Sequence, residues 1–410
     1  MQTFTGLQYL KIDIASNFGL DKANWDERLQ WFDKHESQLE ELVNAADTPA
    51  LFFAGVQAYR KAQRGEPSGY PISLDATSSG LQILACLTGD ASAAQLCNVV
   101  DYVQDGAVQR RDAYTVVYRS MVDAIGEEGR IERDHVKKAV MTALYGSKAQ
   151  PKRVFGEGEL LNVFYDTMVE LAPAAWELNE TMPCFWNPHA TEHAWVLPDN
   201  FHVHVKVMDT EEEIVHFLNE PYSVFSQVNR PTDTGRSLGA NTIHSLDGMI
   251  VREMTRRCNY DVKKVGLLKD LCYSIMYNNA DIIGAVVENE DAEMVRTLWG
   301  HYERTGYLSA RIIDHLHMHN LKLVGIKALA ELLWSLPEKP FEIISIHDCF
   351  RCLPNYGNDL RKQYALQLQL IAKSTILEDM LSQITGQHIP VKKLDESMWK
   401  MVGDAEYALS

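Results

Sequence analysis

Two short apolar runs in this chain each stop at an aspartate, and most of the sequence lies between them. The first is Ile72-Ser73-Leu74-Asp75, followed by Ala76-Thr77-Ser78-Ser79-Gly80-Leu81-Gln82. The second is Ile343-Ile344-Ser345-Ile346-His347-Asp348-Cys349-Phe350. Apolar runs bounded by turn residues predict strands. The small residues and Gly80 after Asp75 predict a turn into a helix over Leu81–Leu87. The second run predicts a hairpin over 342–352, turning at His347-Asp348. If both are buried central strands lying side by side, their acids meet at one end of a sheet.

The remaining pattern is mostly helical, which makes the fold class α+β. Helices are expected over 24–46, with apolar spacing at Trp25, Leu29, Phe32, Leu39 and Leu42, and over 107–125 and 132–145. Residues 258–336 read as largely helical, and 358–386 as one long amphipathic helix through Leu360, Tyr364, Leu368 and Ile371. His193–Val207 reads as a hairpin turning at Pro198-Asp199-Asn200.

Composition excludes several classes. No apolar run is long enough to span a membrane, and Met1–Gly6 has no signal-peptide pattern. Seven cysteines without a secretory signal predict reduced thiols. Cys349 and Cys352 have no second pair with which to hold zinc. His202 and His204, and His315, His317 and His319, are read as structural for the same reason. A net charge of −17 argues against a chain that wraps nucleic acid over its whole surface. A local groove is still allowed, because Arg110, Arg111, Arg133, Lys137, Lys138, Lys148, Lys152 and Arg153 crowd into one stretch. Such a cluster is usually a solvated helix face. Here a phosphate-facing surface is expected because of the motif inside it.

That motif is Arg133-Asp134-His135-Val136-Lys137, continuing to Tyr145-Gly146-Ser147. Arg133 and Lys137 are four apart and share a helix face. Tyr145 lies roughly 80° further round at 3.6 residues per turn. Gly146 suits the residue just past the helix end. Two acids ending adjacent strands beside a basic helix fit transfer of a nucleotidyl group. Two Mg²⁺ ions take one or two carboxylates plus substrate phosphates, and cations hold the triphosphate. Asp75, the Ala76 carbonyl and Asp348 are the candidate metal ligands.

With these residues assembled, the chain resembles the single-subunit RNA polymerases of phages and mitochondria. Asp75–Gln82 is similar to their motif A, Arg133–Lys148 to motif B, and His347-Asp348-Cys349-Phe350 to motif C. Trp195-Val196-Leu197-Pro198-Asp199 resembles a fingers hairpin, and His244-Ser245-Leu246-Asp247-Gly248 a further family signature. Tyr114 matches a fingers tyrosine; Tyr9-Leu10-Lys11-Ile12 and Glu27-Arg28 match upstream.

The resemblance implies a right-hand polymerase fold, with a palm built on a central antiparallel sheet and mainly helical fingers. Residues 1–91 would be the first part of the palm, 92–244 the fingers, and 245–410 the second part of the palm. The long interval from His244 to Asp348 implies a helical insertion at about 258–330. Catalytic roles fall to Asp75, Asp348, Lys137, Tyr145 and His347. Nucleotide contacts fall to Arg133, Lys137, Tyr114, Tyr145, Gly146 and His244. Related DNA polymerases carry a blocking Glu where this chain has Gly80, and Tyr145 and His244 match residues that recognise the ribose 2′-hydroxyl. Ribonucleoside triphosphates are therefore the expected substrate, with a DNA template, nascent RNA and two Mg²⁺ ions.

The chain departs from the family in four places. Thumb and N-terminal promoter-binding domain have no counterpart before Met1. The hybrid-contacting Gly-Arg segment is also missing there, and Thr234-Gly235-Arg236 is out of place for it. Arg351 and Cys352 stand where relatives have small residues or Thr. Met208–Gly239, where relatives read promoters, contains Glu211-Glu212-Glu213, which repel DNA phosphates. The expectation is the larger, catalytic subunit of a heterodimeric polymerase of the N-four-like podovirus type. A second subunit would supply thumb and hybrid contacts in the cytoplasm of an infected bacterium. An A-family-like DNA polymerase and an inactive polymerase-derived scaffold are the competing readings.

Overall fold

The computed structural model describes residues 1–126, 129–235, 237–277 and 285–410. Arg236, and residues 278–284 of the expected insertion, lie outside the described residues. The chain opens with α1 (Gly6–Ala15), α2 (Trp25–His35) and α3 (Pro49–Gln63), then β1 (Ile72–Asp75) and α4 (Ser79–Thr88). Next come α5 (Ala91–Leu96), a hairpin of β2 (Tyr102–Gln104) and β3 (Ala107–Gln109), α6 (Ala113–Ile125) and α7 (Arg133–Ala143). Three helices follow, α8 (Ala149–Phe155), α9 (Glu159–Leu171) and α10 (Pro173–Thr181). Two hairpins come after them, β4 (Glu192–Val196) with β5 (His202–Lys206), and β6 (Met208–Phe217) with β7 (Glu220–Asn229). The second half contains α11 (Ser237–Cys258), α12 (Val262–Tyr277), α13 (Glu290–Thr305), α14 (Ile312–His315) and α15 (Ile326–Trp334). It ends with β8 (Ile344–Ile346), β9 (Cys349–Cys352), α16 (Gly357–Lys373), α17 (Ile376–Thr385) and α18 (Trp399–Val402).

The α+β class holds. β1, β9 and β8 form one antiparallel sheet in that order, with Asp75 opposite Cys349 and Leu74 opposite Phe350. The expected strand, hairpin and turn are all present, but β8 is not buried. It is the edge strand, and Ile344 and Ile346 are 53% and 50% exposed. β9 takes the central position instead, with Phe350 and Cys352 buried.

Three helix expectations need correction. Residues 107–109 are a strand, because Asp105 and Gly106 both take positive φ (53° and 79°) and turn a hairpin. Asp112 then caps α6 by accepting the Tyr114 N–H at 3.2 Å. The helix from residue 24 is α-helical only to His35 and continues as 3₁₀ turns to Ala45. The long helix over 358–386 is two helices: Thr375 donates its N–H to the Thr305 carbonyl (2.8 Å) and its hydroxyl to the Arg304 carbonyl (3.0 Å). Those tertiary bonds to the end of α13 bend the chain there.

The main core gathers residues from α1 through α11 and from β9 onward. A second cluster of buried apolar residues, including Leu268, Leu298, Leu329 and Leu333, lies within residues 265–336. Of His315, His317 and His319, only His315 is helical; His315 and His317 both contact Asp291, at 2.8 and 3.0 Å. Among the described residues, no helix is long and apolar enough to cross a membrane, and all seven cysteines are free.

Candidate active site

β1 delivers Asp75 to the end of the sheet, and the α4 turn begins at once. Gln82 holds that turn. It is fully buried, and its Nε2 donates to Thr77 Oγ1 (3.0 Å) and to the Cys97 (3.1 Å) and Ala408 (2.9 Å) carbonyls. Its Oε1 accepts from the Tyr364 hydroxyl of α16 at 2.7 Å. The chain end lies along the other side of β1, with Asp75 and Ser410 exchanging backbone bonds of 3.4 and 2.9 Å. The Ala76 N–H donates to the Asp348 carbonyl at 3.1 Å, which fixes the two acidic segments together.

Asp75 and Asp348 open onto one cavity of about 270 Å³. Its wall also includes Ala76, Gly80, Arg110, Tyr114, Arg133, Lys137 and Tyr145. Asp75 reaches solvent through this cavity, yet protein surrounds it elsewhere. Burial and the neighbouring Asp348 charge push its carboxyl up to about 6, against the pull of Arg110. Asp247 is likewise pushed up to about 6 by burial and by Asp348, with His347 opposing. Like-charge crowding of this sort suits a divalent cation, which Asp75, Asp348 and the Ala76 carbonyl are placed to hold. Among the described residues no group of three or more His, Cys, Asp or Glu converges as an all-protein metal cage.

α7 forms the opposite wall. Its end closes with Ser147 N–H to the Thr142 carbonyl (3.0 Å) and Gly146 N–H to the Ala143 carbonyl (2.8 Å). Gly146 has φ 80°, which confirms the expected left-handed stop. Lys137 Nζ sits 5.7 Å from the Tyr114 ring centre. Arg133 is differently placed than expected. Its guanidinium is taken up by Asp112 and by Thr115 Oγ1 (2.7 Å), so it reaches the wall already paired. Burial would raise the Asp112 carboxyl, but the Thr115 hydroxyl, donating to it at 2.6 Å, and Arg133 together hold it below the usual carboxylate range.

The Tyr145 ring packs on His244, with centres 4.5 Å apart. Burial raises its hydroxyl pKa, with Asp247 adding to the effect. Gly80 makes room for that phenol: a Cβ there would meet the Tyr145 hydroxyl at 2.9 Å. His347 does not line the cavity. It sits exposed at the hairpin apex with φ 55°. Trp195 Nε1 donates to Ser245 Oγ (3.2 Å), joining the expected hairpin to the segment that carries His244.

The basic cluster disperses. Arg110, Arg133 and Lys137 line the cavity, whereas Arg111 covers the Tyr102 ring, Lys148 pairs with Glu180 and Lys152 with Glu157. Asp21, Lys22 and Asp112 join the wall without having been singled out from sequence, and Ser410 joins it too. Asp21 and Lys22 are carried there by the buried Arg28, which donates to the Asp21 carbonyl (2.7 Å) and the Ala23 carbonyl (3.1 Å). Only Asp112 had a local signature, an acid at a helix start.

Residues 2–160 match the family model of DNA-dependent RNA polymerases. A probable DNA-directed RNA polymerase of Neurospora crassa is 32% identical over 161 residues, covering 35% of this chain and 18% of that protein. The mitochondrial DNA-directed RNA polymerase of the same organism is 28% identical over 169 residues, covering 35% and 12%. The DNA-directed RNA polymerase of Pseudomonas phage phiKMV is 26% identical over 176 residues, covering 35% and 21%. The chain thus spans about a fifth or less of these relatives. The family match contains Asp75, Lys137 and Tyr145 and stops before His244 and Asp348.

Proposed function

We propose that this chain carries the catalytic centre of a DNA-directed RNA polymerase of the phage and mitochondrial type. The observation that carries the reading is the meeting of Asp75 and Asp348 in one cavity with Lys137 and Tyr145. The similarity of residues 2–160 to such polymerases supports it. On this reading residues 1–91 and 245–410 form the palm, 92–244 the fingers, and about 258–330 an insertion.

Mg²⁺ held by Asp75, Asp348 and the Ala76 carbonyl would stabilise charge on the attacking and leaving oxygens. The chain's own groups do the rest. Lys137 offers its ammonium to the triphosphate. Tyr145, braced by His244 and given space by Gly80, stands where the ribose would lie. A polar contact to the 2′-hydroxyl in a site closed to water rejects the deoxy analogue by leaving a group unpaired. The Tyr114 ring lies beside Lys137 in the same wall. A second polypeptide bearing thumb and hybrid contacts, and residence in the infected cell's cytoplasm, complete the reading.

The test is primer extension on a single-stranded DNA template with Mg²⁺ and either rNTPs or dNTPs. The chain is assayed alone and with the polypeptide encoded beside it. Extension with rNTPs alone, abolished by Asp75→Ala and Asp348→Ala, is the expected result. Extension with dNTPs would establish a DNA polymerase. No extension in either arm would establish an inactive scaffold.

A further inference from the structure

Arg110 is a half-buried cation with no carboxylate paired to it among the described residues. It follows β3, and its backbone N–H donates to Asn24 Oδ1 at 2.8 Å. Its Nε donates to Ser410 Oγ at 3.0 Å. Burial lowers its pKa, while Asp21, Asp112 and Asp75 act against that shift. None of the three forms an ion pair with Arg110: Asp112 is taken by Arg133, and Asp21 lies 3.9 Å from Lys22. The terminal nitrogens of Arg110 have no hydrogen-bond partner among the described residues and are not fully buried, and the residue lines the cavity.

An arginine fixed at its backbone and at Nε, with its remaining N–H groups aimed into a polar cavity, is preorganised for a planar, bidentate anion. A desolvated charge left unpaired is unfavourable, so an anionic ligand gains more here than at a surface. The rest of the wall leaves room for this role. Of the other cations in the wall, Arg133 is taken up by Asp112 and Lys22 lies 3.9 Å from Asp21, which among the described residues leaves Lys137 and Arg110 as those with no carboxylate bound to them.

We propose that Arg110 is a polyphosphate-binding residue of this cavity, taking phosphoryl oxygens on its terminal nitrogens while Ser410 positions the guanidinium through Nε. The assignment to a nucleoside triphosphate rests on the polymerase reading; the anion site itself does not.

Inorganic tripolyphosphate is the probe, titrated calorimetrically into the full chain. Arg110→Ala weakens binding roughly 10- to 100-fold, the range for losing a charged hydrogen-bonded pair. Arg110→Lys recovers only part, since an ammonium cannot make the fork, and serves where the alanine variant fails to fold. Ser410→Ala weakens binding by less, roughly 2- to 10-fold for one neutral bond. Near-UV circular dichroism checks the fold of each variant. Wild-type chain that binds no tripolyphosphate, or folded Arg110 variants that bind like wild type, overturn the proposal. Equal losses in Ser410→Ala and Arg110→Ala also overturn it, because Arg110 would then only anchor the tail. The two readings fail separately. Arg110-dependent binding without RNA extension leaves the anion site standing and removes the polymerase reading. RNA extension with an unchanged KM for rNTPs in Arg110→Lys and Arg110→Ala does the reverse.

Discussion

Replacing Gln82 by leucine keeps the volume of a fully buried side chain and removes all its polar atoms. The Tyr364 hydroxyl, in a residue only 2% exposed, then loses its acceptor, which costs about 1–3 kcal/mol. The Ala408 carbonyl loses its side-chain donor, worth about 1 kcal/mol. The Cys97 carbonyl suffers less, because it still accepts from Thr77 Oγ1 at 2.7 Å. The total is about 2–4 kcal/mol, a large share of a stability of about 5–15 kcal/mol. Urea denaturation followed by circular dichroism measures it, with the slope unchanged between proteins. Tyr364→Phe by itself costs about 1 kcal/mol. In the double variant no orphaned hydroxyl remains, so its loss falls short of the sum by about 1–2 kcal/mol. A Gln82→Leu loss under about 1 kcal/mol, or strict additivity, would refute the idea that this amide locks the turn after Asp75.

Other outcomes follow from the same geometry. Asp75 has its carboxyl raised to about 6 from an ordinary value of 3.8, so the folded state binds the extra proton between those values and loses stability as pH rises through them. Asp75→Asn removes that loss: thermal melts show it more stable than wild type at pH 7.5 and not at pH 4, while catalysis is abolished. Tyr145→Phe keeps the stack on His244 but loses the hydroxyl; competition assays show discrimination of rNTPs over dNTPs falling by roughly 10-fold or more. Excising residues 209–228 and joining the cross-strand partners Met208 and Asn229 through a glycine turn shifts the melting temperature by less than about 3 °C, because the ribbon's side chains are almost all exposed. Light scattering of that variant shows less self-association, since Phe217, Leu218 and Phe225 no longer face water.

The sequence declares its strands and turns wherever punctuation is local. Asp75 after Ile72–Leu74, and His347-Asp348 between two short strands, need nothing beyond their neighbours to be read. The Asp105-Gly106 pair was equally local evidence for a hairpin, and apolar spacing across 107–125 masked it. Other features depend on partners remote in the chain. β8 is as apolar as a buried strand and lies exposed, because its order in the sheet is set by β1 choosing β9. The break near Thr375 comes from carbonyls at the end of α13, which no periodicity within 358–386 could announce. Charge is the least legible property. Eight cations clustered in sequence look alike, yet Arg133 is neutralised by an acid from the start of another helix and Lys148 and Lys152 face outward. Arg110 is half-buried, held at Nε by Ser410, with no partner for its terminal nitrogens among the described residues. Whether a cation stabilises the fold or waits for a ligand depends on which acids reach it, and that is decided only when distant segments pack.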